Sequence, residues 1–230
     1  MAFLSMRHDF RAPAFAPESS KEIYATALEQ FAWADEHGFD SLVLSEHHGV
    51  DDGWMPAPLT MAAAVLARTA RARLMISAAI LPLHDPIRIA EQIAVLDNAF
   101  PGRMWVVFGA GYRVDEFEMA GLEHAARGGI LEEHVAAVLE ALSGESFEWR
   151  GREVRVTPKP ITDPRRMLFV GGGVAAAARR AARLREVPAQ GGIVFNPLAG
   201  GLPSALAWSS LELFAAKVLP RLRALPGDAP

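Results

Sequence analysis

Short apolar runs in this chain each lead, within a few residues, into a longer stretch with helical spacing. That alternation restricts the fold more than any other feature. The runs are Phe3 to Met6, Ser41 to Ser45, Leu74 to Leu81, Met104 to Phe108, Met167 to Val170 and Ile193 to Phe195. Runs that lack a polar alternate imply strands buried on both faces, and a helix after each strand implies a parallel sheet covered by helices. The helices carry their own signals. Ser19 and Glu22 have the spacing of a capping box, Ile23, Ala27, Leu28 and Phe31 follow on one face, and Gly38 supplies the stop. Asp85 reads as an N-cap with Pro86 at the first helical position. Pro58 to Arg68, the set Leu131, Val135, Val138 and Leu142, the run Val174 to Leu184, and the set Leu211, Phe214, Val218 and Leu222 predict further helices. "FEWRGREVRV" alternates around Arg150-Gly151 and predicts a small β-hairpin near 147–156, outside the main sheet.

Two α/β architectures fit this pattern, a (β/α)8 TIM-type barrel and an open doubly wound sheet. Counting constrains the choice. Five βα units run to Leu184 and leave 46 residues, enough for one more, so about six units are visible where a complete barrel needs eight. If the fold is a barrel, it is incomplete. No linker interrupts residues 1–230, which are read as a single domain.

Composition removes several function classes. With 51% apolar and 22% charged residues the chain can build a full core. A formal charge of −4 gives no general attraction to nucleic acid or to anionic lipid. The absence of cysteine excludes disulfides, thiolate zinc sites and thiol catalysis. No apolar run reaches membrane-spanning length and no signal peptide is visible, so a cytoplasmic location is expected.

In parallel βα folds the reactive groups sit where strands end, and four such loops have unusual residues. Glu46, His47 and His48 follow the second strand. Neighbouring strand residues point to opposite sides and no third ligand is apparent, so no metal site is expected. Either one imidazole serves as a proton donor or acceptor, or the group only ties the loop together. Ser77 and Ala78 end the third strand with small side chains, which suit either close packing or the approach of a flat ligand. Gly109 and Gly111, in "FGAGYRVDEF", form a tight turn or expose amides to a phosphate. Gly171, Gly172 and Gly173 lie between a strand and a helix start and form the best anion candidate, without the lysine and hydroxyl of a nucleotide-triphosphate loop.

The order of these motifs carries a resemblance. "HGFDSLVLSEHH", "ILPLHDPIRIAEQIAVLDNAFPGRMWVVFGAGYRVDEFEMAGLE", "GESFEWRGREVRVTPKP", "FVGGG" and "FNPLAGGLPSALAWSSLELFAAKVLPRL" together resemble the bacterial-luciferase-like flavin oxidoreductases, the luciferase-like monooxygenase superfamily. The resemblance implies a (β/α)8 barrel, usually dimeric, that binds reduced FMN or the deazaflavin F420 at its carboxyl face. It implies that His47 assists the flavin chemistry, with His48 and Glu46 orienting it. Ser77-Ala78 matches a bulge, often with a non-proline cis peptide, that lies against the ring. Gly109, Ala110, Gly111 and Tyr112, together with Gly171, Gly172, Gly173 and Val174, match the loops around the cofactor phosphate. The implied function is a two-component monooxygenase that takes reduced FMN from a flavin reductase and acts with oxygen on a small organic substrate. Two alternatives stay open: hydride transfer with F420, and a shortened flavin-binding or subunit-like protein without catalysis. Ala110 stands where many relatives have arginine, and Val174 where many have serine. Against the family pattern, the units of strands six and seven have no counterpart between Leu184 and the last strand.

Overall fold

The computed structural model describes residues 3–171, 192–198 and 201–223. Strand β1 (Phe3–His8) leads to helix α1 (Ser20–Glu36), β2 (Ser41–Leu44) to α2 (Pro58–Leu66), and β3 (Arg73–Ile80) to α3 (Pro86–Ala99). Strand β4 (Met104–Gly109) is followed by α4 (Val114–Met119), α5 (Arg127–Ala141), the antiparallel hairpin β5 (Phe147–Trp149) and β6 (Arg152–Val154), and the short helix α6 (Pro164–Met167). Then come β7 (Leu168–Val170), β8 (Gly192–Phe195), α7 (Ser204–Lys217) and α8 (Leu219–Arg223). The main sheet is parallel throughout and ordered β7-β4-β3-β2-β1-β8. Its six strands among the described residues agree with the six units counted in the sequence. The helix expected over Val174 to Leu184 lies outside the described residues.

Local chemistry explains the element ends. The Ser19 hydroxyl accepts from the Glu22 amide, and the Glu22 carboxylate accepts from the Ser19 amide, so the predicted capping box is formed. The Asp85 carboxylate accepts from the amides of Ile87 and Arg88 ahead of α3. The predicted second helix stops at Leu66, two residues early, and Met167 closes α6 instead of opening a strand. Asp35 explains the tight link that follows α2. Its carboxylate accepts from the amides of Ala70, Arg71 and Ala72 at 2.7, 2.9 and 2.5 Å, which turns the chain directly into β3.

Strands β1 to β4 bury one face almost completely. Met6, Leu42, Leu44, Leu74, Ile76 and Val106 have no exposed surface and join Ile23 and Phe31 of α1, Val65 of α2 and Ile93 of α3 in one core. Burial of each such side chain favours folding by about 1.5–3 kcal/mol. Alternate residues point to the concave face, where Arg7, Met75, Trp105 and Val107 are only half-buried and Phe169 is exposed. No described helix is long and apolar enough to cross a membrane.

Candidate functional site

The carboxyl ends of β1 to β4 and β7 surround one cavity of about 620 Å³. It is lined by Ser77, Ala78, Gly109, Ala110, Gly111, Tyr112 and Gly171, together with His47. With Glu46, which also borders it, nine residues singled out in the sequence therefore meet in one hollow. Gly172, Gly173 and Val174 lie outside the described residues.

The floor is built from small residues for two reasons. In β3 the register against β4 shifts between Ser77 and Ala79, so Ala78 is an extra residue in that strand. A bulge of this kind directs two consecutive side chains to one face, and Ser77 and Ala78 both border the cavity. The Ser77–Ala78 peptide is cis. On β4, a Cβ at Gly109 would sit 3.1 Å from that of Ala78, so the two strands are close here. Gly111 has φ +75°, and a Cβ there would lie 2.8 Å from Ile80 and 2.9 Å from the Phe117 ring. Both the backbone and the packing exclude a side chain at this turn.

His47 is nearly buried, and its ring is held from several sides. Its Nδ1 lies 2.8 Å from Glu116 Oε1, and its Nε2 lies 3.3 Å from the Tyr112 hydroxyl. The Trp54 ring meets it edge-on at 4.4 Å, with the indole N–H donating to Ser45. An ionised carboxylate can only accept, so Glu116 fixes the proton on Nδ1 and leaves Nε2 as the acceptor towards Tyr112. Glu116 Oε1 also accepts from the His48 amide at 3.0 Å, and the Arg113 guanidinium stands 3.8 Å away. Arg113 itself is paired with Asp115.

This geometry corrects the expected role of Glu46 and His48. They do not orient His47. Residues 46 and 48 point to the same side, opposite to 47, because side chains alternate along an extended chain. Glu46 Oε1 meets His48 Nε2 and His84 Nε2, each at 2.6 Å, and its Oε2 accepts from the Ile80 amide at 3.1 Å. Burial opposes ionisation of Glu46, but the hydrogen bonds and charge of the two imidazoles outweigh it and hold the carboxyl below its usual range. The bond to Glu46 raises the His48 imidazole above its ordinary value, against the effect of burial.

Several residues of the site had no signal in the sequence. Glu116, buried behind His47, is 69 positions from it, and the lining residues Trp54, Arg7 and Arg127 were given no role. Arg7 and Arg127 give the cavity two cations among its described lining residues.

The family model for luciferase-like monooxygenases matches residues 7–189. The chain belongs to that family. Among relatives, an F420-dependent glucose-6-phosphate dehydrogenase from Nakamurella multipartita is 32% identical over 164 residues, which cover 66% of this chain and 48% of that protein. The crystal structure of the monooxygenase RslO1 from Streptomyces bottropensis matches with a TM-score of 0.68 and 29% identity, over 80% of this chain and 57% of that one. The oxygenating constituent of 3,6-diketocamphane monooxygenase from Pseudomonas putida, solved with FMN, has a TM-score of 0.59 at 21% identity. It covers 71% of this chain and 48% of its own length, and shows the likeness of fold alone. The chain thus spans about half the length of these relatives. Its α/β fold is that of the family's TIM-type barrel, with six parallel strands among the described residues.

Proposed function

We propose that the chain is a flavin-dependent monooxygenase, with the 620 Å³ cavity as the seat of reduced FMN. The observation that carries this reading is the convergence of Ser77, Ala78, Gly109 and Gly111 into a floor almost free of side chains, with His47 in the wall. A flat tricyclic ring can lie against such a floor, and few other ligands require it. Arg127 and Arg7, with the amides of Gly109 to Tyr112, would hold the phosphate that Ala110 does not contact through a charge. When bound, reduced flavin supplies the electrons that activate oxygen. The protein's own task is narrower. His47 holds or moves a proton at Nε2, Tyr112 shares that proton, and Glu116 keeps Nδ1–H in place so that Nε2 stays available. Trp54 and Ile80, on the cavity wall, would exclude water. A reductase would deliver the reduced cofactor, the substrate is a small organic molecule, and the working form is a homodimer.

A second reading is hydride transfer with F420, favoured by the 32% identity to an F420-dependent dehydrogenase. Anaerobic titration with FMN, reduced FMN and F420, followed by fluorescence and then by oxygen uptake with candidate substrates, separates the readings. Tight binding of reduced FMN with substrate-dependent oxygen uptake is expected. Binding of F420 alone would replace the first reading by the second, and flavin binding without turnover would make the chain a non-catalytic flavin carrier. Within the first reading, His47→Ala should lower turnover about 10²–10⁴-fold while flavin stays bound. Unchanged turnover would remove the proton role.

A further inference from the structure

Beside the main cavity, three side chains that this function leaves unused converge on one point. Glu46, His48 and His84 each present one ligand atom, and the three atoms all lie within 4.8 Å of one another. Two of the residues come from the end of β2 and the third from the turn after β3, 38 positions from Glu46. The spacing of Glu46 and His48 sets both on one side of an extended segment. His84 is placed by the 3₁₀ turn Leu81–Leu83, where its amide donates to the Leu81 carbonyl at 3.1 Å. The Glu46 side chain is fully buried, and the Ile80 amide fixes its Oε2, which leaves Oε1 aimed between the two Nε2 atoms.

We propose that Glu46, His48 and His84 form a binding site for one divalent first-row transition ion, with Zn²⁺ as the reference case. The donor set is two imidazole nitrogens and one carboxylate oxygen, which suits such ions. An ion about 2.1 Å from each of three ligands in tetrahedral geometry sets them about 3.4 Å apart. The two N···O distances of 2.6 Å would need to open by less than about 1 Å, and the two imidazole nitrogens, within 4.8 Å of each other, to settle at a similar separation. Metal would replace the protons that now bridge Glu46 to both rings, and its binding releases them or moves them to Nδ1. A separate pocket of about 170 Å³, lined by Glu46, His84, Thr60 and Asp85, adjoins the cluster and leaves room for a water as fourth ligand. The ion would clamp the loop that carries His47 to the turn that follows the Ser77–Ala78 bulge. It would brace the main cavity through Glu46, which borders both that cavity and the smaller pocket.

Calorimetric titration of tag-free, EDTA-stripped chain with Zn²⁺ tests this, with Co²⁺ absorption as the second readout. One ion per chain with micromolar or tighter affinity is expected, together with visible bands for four-coordinate Co²⁺. His84→Ala and His48→Ala should each weaken binding by at least tenfold, while His47→Ala leaves it unchanged. His84 is partly exposed, so its variant should keep the fold, and circular dichroism checks this for each protein. No uptake by wild type, or equal affinity in wild type and His84→Ala, would overturn the site and leave the cluster as a hydrogen-bond latch. Flavin binding, measured on the same samples, reports separately on the cavity.

Discussion

The two faces of the same sheet differ in what they have finished. On the convex face, Leu42, Leu44, Leu74, Ile76 and Val106 have lost all contact with solvent under α1, α2 and α3. On the concave face, among the described residues, Arg7, Met75, Trp105 and Val107 remain half-buried and Phe169 is 45% exposed. Neighbours along one strand show the contrast most sharply. His8 is buried among Phe10 and Phe31, and neither ring nitrogen has a hydrogen-bond partner among the described residues. Arg7, one position earlier, opens into the cavity. Stability is thus concentrated on the helix-covered face, and chemistry on the face that is still open at its strand ends. A sheet can place both on the same few residues because its side chains alternate.

The largest expected effect separates the faces directly. Ile76→Ala should cost about 3–5 kcal/mol in urea unfolding, against roughly 1 kcal/mol for Met75→Ala beside it. Equal losses would mean that the concave face is packed as tightly as the convex one. Next is acidity. Burial pushes the His8 imidazole down to about 3, whereas an unfolded chain titrates it near 6.5. Between those values the unfolded state binds the extra proton, so stability falls as pH falls through that window, by up to about 1.4 kcal/mol per pH unit from this group. His8→Met should flatten that slope below pH 6.5 and change little above it. A slope identical to wild type would place the acid sensitivity elsewhere. At the cavity rim, Gly111→Ala should destabilise by about 1–2 kcal/mol through its positive φ alone, and should weaken flavin binding more than it weakens folding. Smallest is Phe169→Ser on the exposed concave edge, within about 0.5 kcal/mol for the monomer. A marked change in sedimentation for this variant would show that the open face is covered by another chain.

Much of the architecture was legible because strand and helix periods are local. The capping box at Ser19, the Asp85–Pro86 helix start and the Arg150-Gly151 hairpin all form where the sequence set them. The loops that line the cavity were legible for a related reason: small residues after apolar runs mark strand ends. The partners of His47 were not. Glu46 and His48 are adjacent to it in sequence, but strand alternation turns them away, and Glu116 arrives from α4. The bulge and cis peptide at Ser77-Ala78 were expected from the family resemblance, whereas no local period in the residues themselves encodes the register shift.

By itself the sequence determined the parallel βα order, the helix boundaries to within a few residues and the small-residue floor, since each depends on neighbours within a turn or a strand. Only the tertiary structure decided which carboxylate holds which histidine, and that His84 joins Glu46 and His48. Those contacts join groups 38 and 69 positions apart. No local period encodes them, because they exist only once the strand ends have been brought side by side.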